Sequence, residues 1–516
     1  MIEAKASKEK WLAVFGAIIG AFMALLDISI TNSSLQDIQG GLSASLDEGA
    51  WISTAYLVSE IVVIPLTGWL SSIFSLKKFM VWNAIFFVIA SMLCGFAWDL
   101  PSMIVFRFLQ GCSGGVLIPL CMTIIMTYLP KGQQPLGLAL FGIATTFAPS
   151  IGPTVGGWLT INFSWPLIFY VNLVPGIALV YLLAKYLEPT PTQLDKLRGG
   201  DYFGIVLMSV FLSSLTVVLE EGQRKDWLGN DLIKWLSVTA VITFVTFLYH
   251  ELTTKNPFVN LRLYGRWNFG ISTVIMAIFG FGAYGSIFLL PVFLSRVENY
   301  NALDIGRIIM WSGIPQLLVL PFVPKLTKKY DNRILAGIGL SAFGISTLMN
   351  STLTHDWGYD QFFWSQIVRA VGQPFIITNI TSLAYVDIEL AEMGSASGLF
   401  NMMRNLGGSV GIGLLGTMLV DRYHLHFTRM AESVSVYSLP LQEQLAKRAQ
   451  YLGNHSMQSG VKQSVATIYG GINREANVMA FGDAFLVMSC VFFIAVALLF
   501  LMKKPKPGAA VPVTDH

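Results

Sequence analysis

Charge is what this sequence has least of. Only 12% of its residues are Asp, Glu, Lys or Arg, against 54% hydrophobic, where soluble globular chains carry roughly 25% charged residues. Over 516 residues that shortage excludes a molecule whose surface meets mainly water. The positive excess is small, +3, and implies no nucleic-acid-binding face. Cysteine is scarce too. Cys94, Cys112, Cys121 and Cys490 all fall inside apolar runs without CxxC spacing, so they read as small buried hydrophobes rather than ligands or disulfides. The six histidines are scattered, with only His424 and His426 close together, and no metal site is expected. There is no HExxH, GxSxG or phosphate-cradling loop, and the acids are dispersed. A membrane enzyme would need such a cluster near one membrane face.

Long apolar runs are what the sequence does have. The start, "MIEAKASKEK", looks like the basic end of a signal peptide, but the run behind it is too long for a signal core and reads as a retained first span. A helix needs about 20 mostly apolar residues to cross the hydrocarbon core. That rule gives fourteen candidate spans: 11–35, 49–71, 78–98, 102–127, 136–160, 166–187, 201–220, 233–252, 269–291, 304–327, 333–351, 360–386, 393–419 and 480–502. Lys and Arg then set orientation. With the N-terminus inside, the inner segments hold most of them, among them Lys8, Lys77, Lys131, Lys255, Lys328 and Lys503, and the short outer loops few, such as Arg224, Lys225 and Arg296. Both termini are therefore expected in the cytoplasm, which requires an even number of spans. Between the last two spans lies a long polar outer segment, 420–479. In its "LQEQLAKRAQYL", Leu441, Leu445, Ala449 and Leu452 recur at helical spacing. That segment is either a solvated loop on the membrane surface or a docking surface for an external partner.

The two ends of the chain echo each other. "PLTGWLSSIFSLKK" (65–78) pairs with "LPFVPKLTKKYDNR" (320–333), and "RFLQG" (107–111) with "RAVGQP" (369–374). Two six-span halves with spans seven and eight inserted between them fit this symmetry, and secondary transporters are commonly built from such halves. Several stretches carry a more specific resemblance: "LLDISITNSSLQDI" (25–38), "RFLQGCSGG" (107–115), "APSIGPTVGGW" (148–158), "FSWPLIFYVNLVPG" (163–176), "NPFVNLRLY" (256–264) and "NMMRNLGGSVG" (401–411). In their order they resemble the 14-span drug:proton antiporter (EmrB/QacA-like) branch of the major facilitator superfamily. The resemblance implies an all-α integral membrane protein of two six-helix bundles, 1–198 and 256–506, two inserted helices at 199–255, and a cytoplasmic tail at 507–516. One stretch departs from the family pattern. After span two, Gly68, Leu70, Lys77 and Lys78 keep to the loop motif, but Ser72 stands where the family has aspartate and Ser75 where it has glycine. The family's lock between the halves must be weaker here or made differently.

Charges inside the spans are few. One at a helix centre costs about 2.5–3.5 kcal/mol on insertion scales, so those retained usually pair or serve transport. They are Asp27, Glu60, Arg107, Arg369 and Arg404. At 1.5 Å per residue, Asp27, Glu60 and Arg107 all fall in the outer half of the first bundle and are expected to form a single cluster. Burial favours a protonated carboxyl and a nearby arginine an ionised one, so an acid placed between them can exchange protons. The bland alternative is a fixed structural ion pair. Asn401, Arg404 and Asn405, within one turn, read with Asn32 as polar lining of a substrate cavity, and Arg404 leaves room for anionic substrates. Arg369 is either structural or part of that lining. Ala148, Gly152 and Gly156, four apart, form a small-residue stripe beside Pro149, Pro153 and Gly157. It is either plain tight packing or, by the resemblance, a bendable seal against the opposite half.

What the resemblance implies is proton-driven export of amphiphilic compounds across a bacterial inner membrane. The energy source would be the proton gradient, without a cofactor. A periplasmic adaptor and an outer-membrane channel would be partners beside the lipid bilayer. A dedicated metabolite or siderophore exporter on the same scaffold is the rival, and a non-transporting receptor or scaffold the alternative from another class.

Overall fold

The computed structural model of the chain describes residues 6–254, 257–389, 392–433 and 457–503, with Glu443 standing alone between the last two stretches. Among these residues the fold is helical throughout, with no strand. Fourteen long helices make the frame. The first half holds α1 (Lys8–Ser33), α2 (Trp51–Phe74), α3 (Leu76–Gly95), α4 (Leu100–Tyr128), α5 (Gln134–Asn162) and α6 (Leu167–Tyr186). The inserted pair is α7 (Tyr202–Glu221) and α8 (Asp231–Thr253). The second half holds α9 (Trp267–Arg296), α10 (Leu303–Thr327), α11 (Asn332–Ser351), α12 (Tyr359–Ala384), α13 (Met393–Ser433) and α14 (Met457–Leu499).

Twelve of these are both long and apolar enough to cross a membrane, so the chain is a multi-pass membrane protein. The two that fall short in apolarity, α12 and α13, are long enough. They are less apolar because they carry Gln366, Arg369, Gln373, Asn401, Arg404 and Asn405, all buried. Their polar faces turn inward, where water-free lipid does not meet them. Of the fourteen expected spans, length is met in all and apolarity in twelve.

Local sequence sets the ends and breaks. The start of α4 is fixed by a reciprocal cap: Asp99 Oδ1 accepts from the Ser102 amide at 2.9 Å while the Ser102 hydroxyl accepts from the Asp99 amide at 3.2 Å. Between α2 and α3 the chain turns at Ser75 with φ of 75°, a left-handed conformation that glycine adopts freely and serine rarely. α10 is interrupted by 3₁₀ turns at Met310–Ser312 and Leu320–Phe322, in a stretch holding Gly313, Pro315, Pro321 and Pro324 that cannot sustain one regular helix.

α1 packs on α4, α5 and α6, α2 on α4, α9 on α13, and α11 on α12 and α14. The halves touch at both ends. At the end where α1 begins and α14 finishes, Gly68 of α2 lies against the backbone of Gly394 in α13, and Thr123 and Ser397 hydroxyls hydrogen-bond at 2.9 Å. At the far end Ser150 and Ser312 hydroxyls meet at 2.6 Å, and Gly306 packs on Thr154.

Two expectations change. Much of the outer polar segment is helix: α13 continues past 419 to Ser433 and α14 starts at Met457. These extensions pair through Tyr423 Oη donating to Asn473 Oδ1 at 2.7 Å and through His426 and Asp483 at 2.8 Å. The amphipathic helix expected over Leu441–Leu452 lies outside the described residues. Of the cysteines, Cys94 and Cys121 are buried as expected, but Cys112 is only half-buried and Cys490 is exposed, on a helix face that lipid covers.

Candidate functional site

The first site is built on Asp27. Its side chain and that of Arg107 are each only 1% exposed, and Arg107 Nη1 donates to Asp27 Oδ2 at 2.6 Å. Asp27 Oδ1 accepts from Gln110 Nε2 at 2.9 Å and from Asn172 Nδ2 at 2.7 Å. Arg107 is held in turn by Gln110 Oε1 at 2.7 Å and the Ile52 carbonyl at 3.3 Å, and its guanidinium stacks 4.3 Å from the Tyr56 ring centroid. Arg107 and Gln110, three apart on α4, share a helix face. The glycines after them admit α2: a Cβ at Gly115 would stand 2.8 Å from the Glu60 carbonyl oxygen. A buried ion pair persists when its remaining hydrogen-bonding capacity is met, and here it is. Gln110 and Asn172 were not singled out from sequence, although both lie in the quoted motif stretches and Gln110 repeats one turn after Arg107.

Glu60 does not complete a single cluster with Asp27 and Arg107, contrary to expectation. Tyr56, one turn earlier on α2, takes the face of Arg107. Glu60, 1% exposed, faces the second half instead, where Asn405 Nδ2 on α13 donates to its Oε1 at 3.5 Å. It lines a small cavity with Tyr284, Asn405, Ser409 and Glu220. The last comes from α7, an inserted helix that sequence reading left without a role.

Asn401, Arg404 and Asn405 are all buried on α13. Asn401 Nδ2 donates to the Ser397 carbonyl at 2.9 Å and Tyr284 Oη to Asn405 Oδ1 at 3.2 Å, while Arg404 Nε and Nη2 have no partner among the described residues. Arg369, 5% exposed, has no partner at Nε, and Phe343 flanks its guanidinium at 5.9 Å. Asn32 is not brought to this interior. It is exposed near the far end of α1 and accepts from the Ser53 hydroxyl at 2.7 Å.

The small-residue stripe of α5 faces its own half, not the opposite one. Gly152 packs on Ser29, and Gly156 on Ser33, Ser34 and Ile30 of α1 and the turn behind it; Ala148, Pro153 and Gly157 are buried beside them. Pro153 leaves the carbonyl of residue 149 without its helical donor, and the Ser29 hydroxyl supplies one at 2.9 Å. The opposite half is met by other α5 residues, Phe147, Ser150 and Thr154, because successive positions on a helix point about 100° apart. In the loop motif, Ser72 donates to its own Trp69 carbonyl at 2.8 Å, Lys77 is half-buried and Lys78 exposed. The contact between halves there is made by backbone at Gly68, as Ser72 turns back on its own helix.

Two helical halves, an inserted pair between them and buried charges aligned on the inner faces define a membrane transporter. The Major Facilitator Superfamily model matches residues 17–412, and the chain belongs to that family; it is a transporter and not an enzyme. It is 33% identical to the colistin resistance protein EmrB of Acinetobacter baumannii, with 97% of this chain and 98% of that one covered. It is 31% identical to the fatty acid resistance protein FarB of Neisseria gonorrhoeae over 94% and 95%, and 28% identical to the multidrug export protein EmrB of Escherichia coli K12 over 94% of each. Among solved structures, the human organic anion transporter MFSD10 superposes with a TM-score of 0.62 at 12% identity, covering 96% of this chain and all of that one, a likeness of fold.

Proposed function

We propose that the protein is a proton-coupled antiporter that exports amphiphilic drugs or toxic compounds across the bacterial inner membrane by alternating access, with both termini in the cytoplasm and all fourteen long helices spanning. Relatives named for colistin, multidrug and fatty acid resistance support export as its physiological direction. The observation that carries proton coupling is the Asp27–Arg107 pair, 2.6 Å apart and sealed from solvent. Protonating Asp27 removes one partner of a buried charge pair and leaves Arg107 uncompensated, a change of several kcal/mol in a dry site. Binding and release of one proton is thus a force large enough to bias the packing of α1 against α4. When the proton leaves, a negative charge returns, and a cationic amphiphile and a proton compete for the same half of the molecule. No cofactor enters this scheme; the proton gradient supplies the energy.

The unpaired guanidinium nitrogens of Arg404 and Arg369 favour a second class of cargo, anionic amphiphiles, on the same scaffold. A dedicated metabolite or siderophore exporter is the rival reading within export. Beyond the expected span ends, α13 continues for about 21 Å and α14 begins about 35 Å early, at 1.5 Å per residue. These paired extensions are proposed to meet a periplasmic adaptor, which would connect to an outer-membrane channel. The test is substrate-driven proton movement in proteoliposomes. Addition of a substrate on one side must drive protons the other way in wild type and not in Asp27→Asn. Uptake that proceeds without proton movement rules the proposal out.

A further inference from the structure

We infer that Glu220, on the inserted helix α7, is a second proton-carrying carboxylate that shares its chamber with Glu60, so that the inserted helix pair takes part in coupling. The inference rests on the antiport reading and adds to it a residue from outside the two six-helix halves.

Glu220 and its neighbour Glu221 face different ways. Glu221, 1% exposed, accepts from the Thr54 hydroxyl of α2 at 3.0 Å, which fixes the rotation of α7. Farther along, the Leu219 carbonyl of α7 lies against Gly413 of α13, a contact that a Cβ at 413 would block at 2.8 Å. Held on both sides, α7 aims Glu220 into the cavity bounded by α2, α9 and α13. Glu60, Tyr284, Asn405 and Ser409 line that cavity with it. Ser409 lies beside the Glu220 carboxyl in that lining, but Glu220 Oε1 is buried with no hydrogen-bond partner among the described residues. A buried carboxylate oxygen left unpaired is costly while ionised and is relieved by a proton.

The surroundings give no full set of counter-charges. The cationic groups that act on Glu60 are Arg404 on α13 and Arg107 on α4. Arg224, just past the end of α7, attracts Glu220 while Glu221 opposes it. Tyr284 on α9 brings a neutral hydroxyl, already donated to Asn405. On α8, Asp231 and Lys234 are exposed at the helix start. Two carboxyls lining one small chamber disfavour ionising together. The chamber has only about 10 Å³ of room for the centre of a water molecule, about what a single water needs and far too little for an amphiphile. It suits water and a proton rather than the amphiphile.

The test is modification of the purified full-length protein by dicyclohexylcarbodiimide, which reacts with protonated carboxyls in apolar surroundings, read at Glu220 by mass spectrometry across pH. Glu220 is expected to be labelled near neutral pH and to lose labelling as pH rises. In Glu60→Gln, where a neighbouring negative charge is gone, that loss moves to lower pH. Glu220→Asp is expected to keep labelling at residue 220. Glu220→Gln is expected to release fewer protons than wild type when tetraphenylphosphonium binds, since one proton-binding carboxyl is gone. Absence of labelling at 220 at every pH, or a pH dependence unmoved by Glu60→Gln, overturns the inference. Labelling as expected in a wild type that binds the cation and releases no proton overturns the antiport reading and leaves Glu220 a proton-binding residue.

Discussion

Asp27 and Arg107, 80 residues apart in the chain, meet at 2.6 Å with each side chain 1% exposed. Both groups are buried together, so the two charges depend on each other. Replacing Asp27 by Asn removes the counter-charge and keeps the shape, leaving Arg107 buried and uncompensated. A loss of about 3–5 kcal/mol is expected, seen as a lower melting temperature in detergent. Asp27→Asn/Arg107→Gln, which removes both charges, is expected to regain much of it. Equal losses in the single and double variants would show that the pair is not the coupled unit described here.

Thr54 and Glu221 join the inserted pair to the first half. Thr54→Val leaves the buried Glu221 Oε1 without its donor, at an expected cost of about 1–3 kcal/mol. Thr54→Ser keeps the hydroxyl and is expected to melt close to wild type. A Val variant as stable as the Ser variant would mean that this hydrogen bond does not hold α7 in place.

How much of this was legible in the sequence follows from where the information lies. Helix count and the symmetry of halves rest on apolar run length and are readable along the chain. Asp27, Glu60 and Arg107 stood out because a charge in a greasy span is conspicuous. What was not legible was direction around the helix axis. Gly152 and Gly156 announce close packing by their spacing, but only the structure shows that the neighbour is α1 rather than the opposite half. Glu60 and Asp27 share a bundle and a depth, yet Tyr56 occupies the position between Arg107 and Glu60 that a single cluster would need. Gln110 and Asn172 are neutral and pass unnoticed in a motif until their amides are seen on Asp27. Glu220 sits at the predicted end of span seven, where an acid reads as interfacial.

The α1–α5 contact makes a steric prediction. A methyl group at Gly152 would collide with the Cβ and hydroxyl of Ser29, and Ser29 is not free to turn because it serves the Pro149 carbonyl. Gly152→Ala is expected to cost about 1–3 kcal/mol by overpacking. Gly337→Ala is the control: its nearest neighbour, Leu499, would be 3.5 Å away, an ordinary contact, and no loss is expected. Similar melting temperatures for the two variants would contradict the close approach.

At the end where α1 begins, a Cβ on Gly68 would stand 2.7 Å from the carbonyl carbon of Gly394. Backbone cannot rotate away as a side chain can, so Gly68→Ala must part the halves there. The population open at that end is expected to rise, read as faster alkylation of a cysteine placed at Ser397 in a background free of other cysteines. Unchanged alkylation would mean that this contact does not hold the halves together.

In the proposed exchange, cargo and proton compete at the carboxyl of Asp27, with Glu60 as a further proton site in the same half. The most direct measurement is proton release from the detergent-purified protein when a lipophilic cation binds, in wild type, Asp27→Asn and Glu60→Gln. Release is expected in wild type, with its loss in Asp27→Asn and a reduced amount in Glu60→Gln. A wild type that binds the cation and releases no proton would contradict it.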